Sequence, residues 1–89
     1  MAVNRTLHLV LYGTSACHLC DEALALFDSL ALSINLEINE VDIVESDVLM
    51  ARYANAIPVL AWSDNPDKEL AWPFSVEQLA VFINELAQL

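Results

Sequence analysis

Two cysteines, Cys17 and Cys20, are separated by two residues, and the 89-residue chain contains no others. A disulfide between them would close a very small loop, so it would constrain little of the unfolded chain and add little stability. The thiolate is the reactive form of cysteine, and nearby charges and helix ends control how readily it forms. The pair is therefore better explained by chemistry, through thiol–disulfide exchange or metal binding, than by stabilisation.

The cysteine pair falls where a predicted strand passes into a predicted helix. The apolar run Leu7–Tyr12 stops at Gly13, the only glycine, and predicts a strand buried on both faces. Apolar residues then recur at helical spacing, which predicts an amphipathic helix over residues 18–32. The N–H groups and partial positive charge at the helix start would favour a thiolate on Cys17. Cys20, one turn further on, would face Cys17 and be shielded from solvent.

This placement predicts that Cys17 is the attacking thiol and Cys20 the resolving one. His18, when protonated, would tune the pKa of Cys17 by stabilising its thiolate, or else it is an exposed first-turn residue without that role. Asp21 and Glu22 oppose the thiolate by placing negative charge near it. We therefore expect the pKa of Cys17 to lie below the free value of about 8.5, without reaching the lowest values known for cysteines.

The same cysteine spacing also occurs in half of a zinc site, so metal binding is a second interpretation. A structural zinc site needs four ligands, and the chain has only His8 and His18 to complete one. His18 sits within the motif itself, and His8 falls in the first predicted strand. We therefore predict no metal site within one chain. A metal or iron–sulfur cluster shared between two chains stays as an alternative.

Two more strands and a short helix are predicted after the first helix. Residues 36–42 predict the second strand, although its alternation slips between Ile38 and Val41, where a bulge or a switch of face is expected. Ser46 is a candidate cap for a short helix. The apolar segment 57–62 predicts the third strand.

The C-terminal part predicts a hairpin and a final helix. A polar turn at residues 63–68 leads to a short edge strand at 69–72, so the last two strands should be antiparallel. Ser75 and Gln78 have the spacing of a capping box at the start of a helix. The element order is β-α-β-α-β-β-α, with the first two strands parallel. We predict one α/β domain over residues 1–89, with a four-stranded mixed sheet flanked by helices.

Composition excludes several classes of protein. A hydrophobic fraction of 57% is too high for a disordered chain. Thirteen acidic and three basic residues give a net charge of −10, which repels nucleic acid and anionic lipid. No apolar run is long enough for a membrane span or a signal-peptide core. We expect a cytoplasmic monomer that binds neither nucleic acid nor membrane.

These motifs together resemble the glutaredoxin branch of the thioredoxin superfamily. Tyr12 ends the first strand five residues before Cys17, the Cys-His-Leu-Cys segment resembles the family's dithiol motif, and the Ile-Pro-Val segment at 57–59 resembles its cis-proline loop. The segment 15–23 is similar to small bacterial glutaredoxin-like proteins. The resemblance implies a thioredoxin-like fold and thiol–disulfide oxidoreductase activity through Cys17 and Cys20, with no cofactor beyond the dithiol.

The resemblance also implies how a substrate binds. Pro58 would be cis and lie beside Cys17, and the backbone of Ile57 would pair with an extended substrate. The expected partners are a protein disulfide and a reductase, or glutathione, that recycles the pair. Glutathione is not expected to bind tightly, because residues 70–75 lack the Gly-Gly pair of glutaredoxins. The chain has only three cations to meet its carboxylates: Arg5, Arg52 and Lys68.

A non-enzymatic role on the same fold is a further alternative. Because a fold does not determine a function, the groove between the cysteine turn and Pro58 could bind a partner without exchanging disulfides. Slow or absent exchange with model disulfides, together with stable partner binding, would favour that role. The sequence thus leaves three classes to separate: an oxidoreductase, a binding module and a metal or iron–sulfur protein.

Overall fold

A computed structural model of the protein describes residues 6–15, 17–30 and 34–89. The elements within these residues are the strands β1 (Thr6–Gly13), β2 (Asn35–Asp42), β3 (Val59–Trp62) and β4 (Asn65–Ala71) and the helices α1 (His18–Phe27), α2 (Asp47–Tyr53) and α3 (Val76–Ala87). A 3-10 turn at Ile43–Glu45 joins β2 to α2. The predicted order of strands and helices is confirmed.

The four strands form one mixed sheet in the order β2-β1-β3-β4. β1 pairs in parallel with β2 and antiparallel with β3, and β3 pairs antiparallel with β4. The predicted four-stranded mixed sheet is therefore confirmed. Because Tyr12 near the end of β1 pairs with Val59 at the start of β3, the segment just before β3 reaches the same end of the sheet as the start of α1.

Helices α1 and α3 cover one face of the sheet. The main core on this face is made of buried apolar side chains from β1, β3, the two helices and the segment before α3: Leu7, Leu9, Leu11, Cys20, Ala23, Leu60, Trp62, Phe74, Leu79, Ile83 and Leu86. A smaller cluster of Ile43, Tyr53 and Val59 packs on the other face, beside the 3-10 turn and α2. The prediction that β1 is buried on both faces is wrong in part, because Leu7, Leu9 and Leu11 are buried under α1 and α3 while, on the other face, His8 is exposed and Val10 is half-buried.

Helix α1 is shorter than predicted. It ends at Phe27, whereas the apolar spacing predicted a helix to residue 32, of which residues 31 and 32 lie outside the described part of the chain. The backbone N–H groups of Asp28 and Ser29 donate to carbonyls only three residues back, which tightens the last turn. Asp and Ser side chains compete for backbone hydrogen bonds and disfavour helix interiors. That local preference outweighs the apolar spacing.

The irregular alternation in β2 is a switch of face and not a bulge. Its pairing with β1 is continuous from Thr6 opposite Asn35 to Gly13 opposite Asp42. Val41 consequently lies on the opposite face of the strand from Ile38, because successive side chains alternate.

The β3–β4 hairpin differs from its predicted bounds. β3 starts at Val59 and not at residue 57, since Pro58 has no N–H to donate. β4 runs over Asn65–Ala71, so residues predicted as a polar turn belong to a strand, and the register shifts between Ala61 and Trp62. An exposed edge strand needs no apolar pattern and tolerates proline. The polar residues at the start of β4 therefore have the composition that is typical of a turn.

The helix caps follow the sequence closely. The Ser75 hydroxyl accepts the N–H of Gln78 at 3.1 Å, and the Gln78 side chain accepts the N–H of Ser75 at 2.8 Å, which confirms the capping box. Ser46 caps α2 by accepting the N–H of Leu49 at 3.3 Å. In the described ranges, no helix combines the length and the apolar character that crossing a bilayer requires.

Candidate active site

Cys17 is the N-cap of α1, and Cys20 lies in its first turn. The backbone N–H of Cys20 donates to the Cys17 sulfur at 3.2 Å and to the Cys17 carbonyl at 3.1 Å. The N–H of Cys17 donates to the Thr14 carbonyl at 3.2 Å, which closes the turn between β1 and α1. The Cys17 sulfur therefore takes the hydrogen bond that a Ser, Thr, Asp or Asn side chain usually accepts at a helix start.

The two cysteines are joined by a disulfide, with their Cα atoms 5.3 Å apart. Cys20 is only 6% exposed, whereas Cys17 is half-buried. An incoming sulfur can therefore approach Cys17 more readily than Cys20. The structure brings the two predicted cysteines together, and their assignment as attacking and resolving thiols stays a prediction.

Two shallow clefts flank the disulfide. One, of about 190 Å³, lies between the ends of β1 and β2, and the other, of about 260 Å³, lies over the start of α1. Both clefts are lined by Thr14, Ser15, Cys20 and Glu40. Asp42 lines only the first cleft, while Cys17 and Asp21 line only the second. Acidic residues from β2 and from α1 thus line the clefts beside the disulfide.

The two clefts carry negative charge. Asp21, Glu40 and Asp42 contribute to their walls, and neither Arg52 nor Lys68, the two described Lys and Arg side chains, lines either cleft. Asp42 is held in place because its side chain accepts the N–H of Val44 at 3.0 Å. A cationic substrate would be attracted to such a surface and an anionic one repelled.

Sequence reasoning missed Glu40, Asp42 and Gly13 as parts of this site. Parallel pairing of Leu11 with Glu40 and of Gly13 with Asp42 carries the end of β2 to the cysteine turn. One signal could have found them, since the carboxyl ends of neighbouring parallel strands meet at one edge of a sheet, where ligands commonly bind.

His18 lies at the surface beside the disulfide. It is the first residue of α1 and lines the same cleft as Cys17, and its Nε2 is 4.0 Å from a carboxylate oxygen of Glu22. At that distance the ring is at the outer limit of an ion pair, and both side chains are exposed. Its predicted effect on the pKa of Cys17 stays a prediction.

Metal ligation was the second interpretation of the cysteine spacing. The ring of His8, the other histidine, lies on β1 with its Nδ1 3.2 Å from a Glu37 carboxylate oxygen. Within residues 6–15, 17–30 and 34–89, no group of three or more His, Cys, Asp or Glu side chains is arranged to hold a metal ion.

Ile57 and Pro58 form the loop that leads into β3. The peptide bond between them is cis, and Pro58 is fully buried. The N–H of Ile57 donates to the Tyr53 carbonyl at 3.2 Å, and the Pro58 carbonyl accepts the N–H of Trp72 at 3.0 Å. The backbone of Ile57 was predicted to pair with a substrate, and its N–H is already used inside the protein. Neither residue lines the two clefts.

Tyr53 belongs to the smaller core cluster, and Ile57 of this loop packs against that cluster. Its ring is 3% exposed and stacks on Tyr12 with centroids 4.6 Å apart. Its hydroxyl donates to a Glu69 carboxylate oxygen at 2.8 Å, and the guanidinium of Arg52 lies 5.3 Å from the ring centroid. Burial, and secondly the bond to Glu69, raise the pKa of Tyr53 to about 12.

The raised pKa of Tyr53 predicts alkaline instability. An unfolded tyrosine ionises near pH 10 while the folded one stays protonated to about pH 12. The unfolded state therefore releases its proton first, and stability is full below pH 10 and falls as the pH rises from 10 to 12, by roughly 2–3 kcal/mol. Urea unfolding at about pH 9 and about pH 11.5 would measure this loss, which Tyr53→Phe should remove and Tyr12→Phe should keep. An equal loss in wild type and Tyr53→Phe would contradict it.

The comparisons with known proteins agree with this fold. The family model for the glutaredoxin-like domain (DUF836) matches residues 8–84. The chain is also 32% identical to the Northeast Structural Genomics target protein XcR50 from X. campestris, whose X-ray structure superposes with a TM-score of 0.65, covering 86% of this chain and 96% of that one. No curated protein matches the sequence significantly. With its thioredoxin-like sheet and Cys17–Cys20 pair, the chain belongs to the glutaredoxin-like domain family.

Proposed function

We propose that the protein is a thiol–disulfide oxidoreductase in which Cys17 attacks and Cys20 resolves. The observation that carries the proposal is the asymmetry of the pair, because Cys17 is half-buried at a helix start while Cys20 is 6% exposed beside it. The Cys17 thiolate attacks a substrate disulfide, one substrate sulfur leaves as a thiolate, and a mixed disulfide forms. The Cys20 thiolate then attacks the Cys17 sulfur, and the second substrate thiolate leaves.

Local hydrogen bonding supports the attacking role of Cys17. The N–H of Cys20 that reaches the Cys17 sulfur at 3.2 Å would also stabilise a thiolate there, since a hydrogen bond to the charged form favours it. The start of α1 adds a partial positive charge. Asp21 and Glu40 in the flanking cleft act in the opposite direction. We expect the pKa of Cys17 to fall only moderately below that of a free thiol.

The charge of the clefts supports a protein substrate over glutathione. The carboxylates of Asp21, Glu40 and Asp42 would repel the anionic tripeptide, and they would favour a disulfide flanked by basic residues. The Ile57 carbonyl accepts no hydrogen bond from the described residues, so it can receive an N–H from an extended substrate. A separate reductase would return the pair to the dithiol, and no further cofactor is needed. A reversible dithiol of this kind suits the cytoplasm, where we place the protein.

Small disulfides of different charge test both the activity and this selectivity. The reduced protein would be mixed with neutral hydroxyethyl disulfide, cationic cystamine or anionic glutathione disulfide, then quenched with an alkylating reagent and analysed by mass spectrometry. Exchange with the neutral disulfide tests the proposed activity. We expect Glu40→Gln to lower the ratio of the cystamine rate to the glutathione disulfide rate by about threefold to tenfold, as removal of one nearby charge would.

Glu77→Gln is the matched control, because Glu77 lies on α3 and lines neither cleft. It should leave the ratio unchanged. Added salt should compress the ratio in the wild type by screening the carboxylates. The proposed selectivity fails if Glu40→Gln and Glu77→Gln give the same ratio as the wild type.

A further inference from the structure

Gly13, the only glycine of the chain, ends β1 next to the disulfide. It is buried and pairs in register with Asp42 of β2. Its φ angle is not positive, so its backbone lies in a region that any residue can adopt. The usual conformational reason for a glycine is therefore absent, and the explanation must lie in what the missing side chain leaves free.

Because Gly13 has no side chain, the sulfur of Cys20 can lie where a Cβ would otherwise be. A Cβ placed on Gly13 would collide with the sulfur of Cys20, and it would lie 3.7 Å from the Cβ of Cys20. The contact at 3.7 Å is an ordinary van der Waals distance, so only the sulfur is in conflict. Glycine at this position thus accommodates the sulfur of the predicted resolving cysteine.

This sulfur is held differently in the two redox states. In the disulfide, it is bonded to Cys17, and the backbone of Cys20 is fixed in α1 by its hydrogen bonds to Cys17. It cannot move away from an added methyl group. In the dithiol, rotation about χ1 can carry the sulfur to another staggered position. A methyl group at Gly13 would therefore destabilise the disulfide more than the dithiol.

We propose that Gly13 is a positioning residue that favours closure of the Cys17–Cys20 disulfide by giving the Cys20 sulfur room to reach Cys17. The inference rests on the proposed function and concerns its second step. In that step the Cys20 thiolate bonds to the Cys17 sulfur, the bond from Cys17 to the substrate breaks, and the substrate sulfur leaves as a thiolate. The pair is thereby oxidised by two electrons, and the substrate disulfide is reduced to two thiols.

Equilibration of Gly13→Ala with mixtures of reduced and oxidised dithiothreitol tests the proposal. The equilibrium constant for forming the Cys17–Cys20 disulfide should fall about tenfold, which makes the reduction potential ~30 mV more positive. Urea unfolding of both redox forms provides a readout that a general strand defect would not reproduce, because the oxidised form should lose more stability than the reduced form. An unchanged equilibrium constant, or an equal loss in both forms, would overturn the proposal.

The Cys20→Ala background isolates the sulfur itself. Once the sulfur is removed, the added methyl group meets only the Cβ at 3.7 Å, so Gly13→Ala should be nearly neutral when combined with Cys20→Ala. If the change destabilises this background as much as it destabilises the wild-type disulfide, the collision is not the reason for glycine, and the proposal fails. If Gly13→Ala folds only in the Cys20→Ala background, the proposal is supported. Failure to fold in both backgrounds contradicts it.

The dithiothreitol equilibrium needs no biological substrate, which separates this inference from the proposed function. A shifted equilibrium in Gly13→Ala, reached by slow equilibration, together with wild-type exchange with hydroxyethyl disulfide at only the uncatalysed rate would overturn the proposed function alone. Normal exchange by the wild type with an equilibrium that Gly13→Ala leaves unchanged would overturn only the role of Gly13.

Discussion

Cys17→Ser is expected to reduce exchange with hydroxyethyl disulfide to the uncatalysed rate. A serine hydroxyl stays protonated at neutral pH and cannot form a disulfide, so both the attack and the covalent intermediate are lost. Cys20 cannot take over, because it is 6% exposed within the first turn of α1. The measurement is the rate of disulfide consumption by reduced protein, with the dithiol wild type as reference and circular dichroism to confirm folding.

Cys20→Ser is expected to retain the first step and to accumulate the mixed disulfide on Cys17. Mass spectrometry of the alkylated protein would show one substrate thiol bound per chain, whereas the wild type would release it as its own disulfide closes. The opposite pattern, with a trapped intermediate in Cys17→Ser and no reaction in Cys20→Ser, would reverse the roles of the two sulfurs. If neither single variant nor the wild type exchanges, a binding role on this fold becomes the better explanation.

Ile83→Ala is expected to cost about 2–5 kcal/mol of folding stability. Ile83 is completely buried in the main core, where α3 packs on the sheet. The free energy of unfolding of a folded protein is only about 5–15 kcal/mol in total. This loss should therefore shift the urea midpoint strongly and unfold part of the population at elevated temperature. The substitution should affect the disulfide only indirectly, because Ile83 shares the main core with residues of β1 and α1.

The control for Ile83→Ala lies on the same helix. Val81 is 57% exposed, and Val81→Ala should change the free energy of unfolding by no more than about 0.5 kcal/mol. Both variants would be unfolded in urea under reducing conditions, so that the disulfide does not contribute. Similar losses in the two variants would show that α3 is not packed on the core as described.

Elements set by neighbours in the sequence were predicted well. The capping box of Ser75 and Gln78, the strand that leads into the cysteines and the start of α1 at His18 all follow from short-range patterns. The wrong bounds have different causes: the local preference of Asp28 and Ser29 ends α1 early, whereas tertiary context decides the extent of β4. Helix α1 stops at Phe27 despite its apolar spacing, and β4 takes up polar residues because an edge strand gains its hydrogen bonds from β3 on one side only.

The sequence by itself determined that the two cysteines lie together at the start of α1. Two cysteines three residues apart at a helix start are expected to face each other, because that geometry depends on atoms less than one helical turn apart. Only the tertiary structure decided what surrounds them. Glu40 and Asp42 reach the disulfide through the pairing of β2 with β1, and Gly13 meets the Cys20 sulfur because α1 folds back onto the sheet. Such contacts join residues that lie more than one helical turn apart in the chain, and strand register and helix packing bring them together.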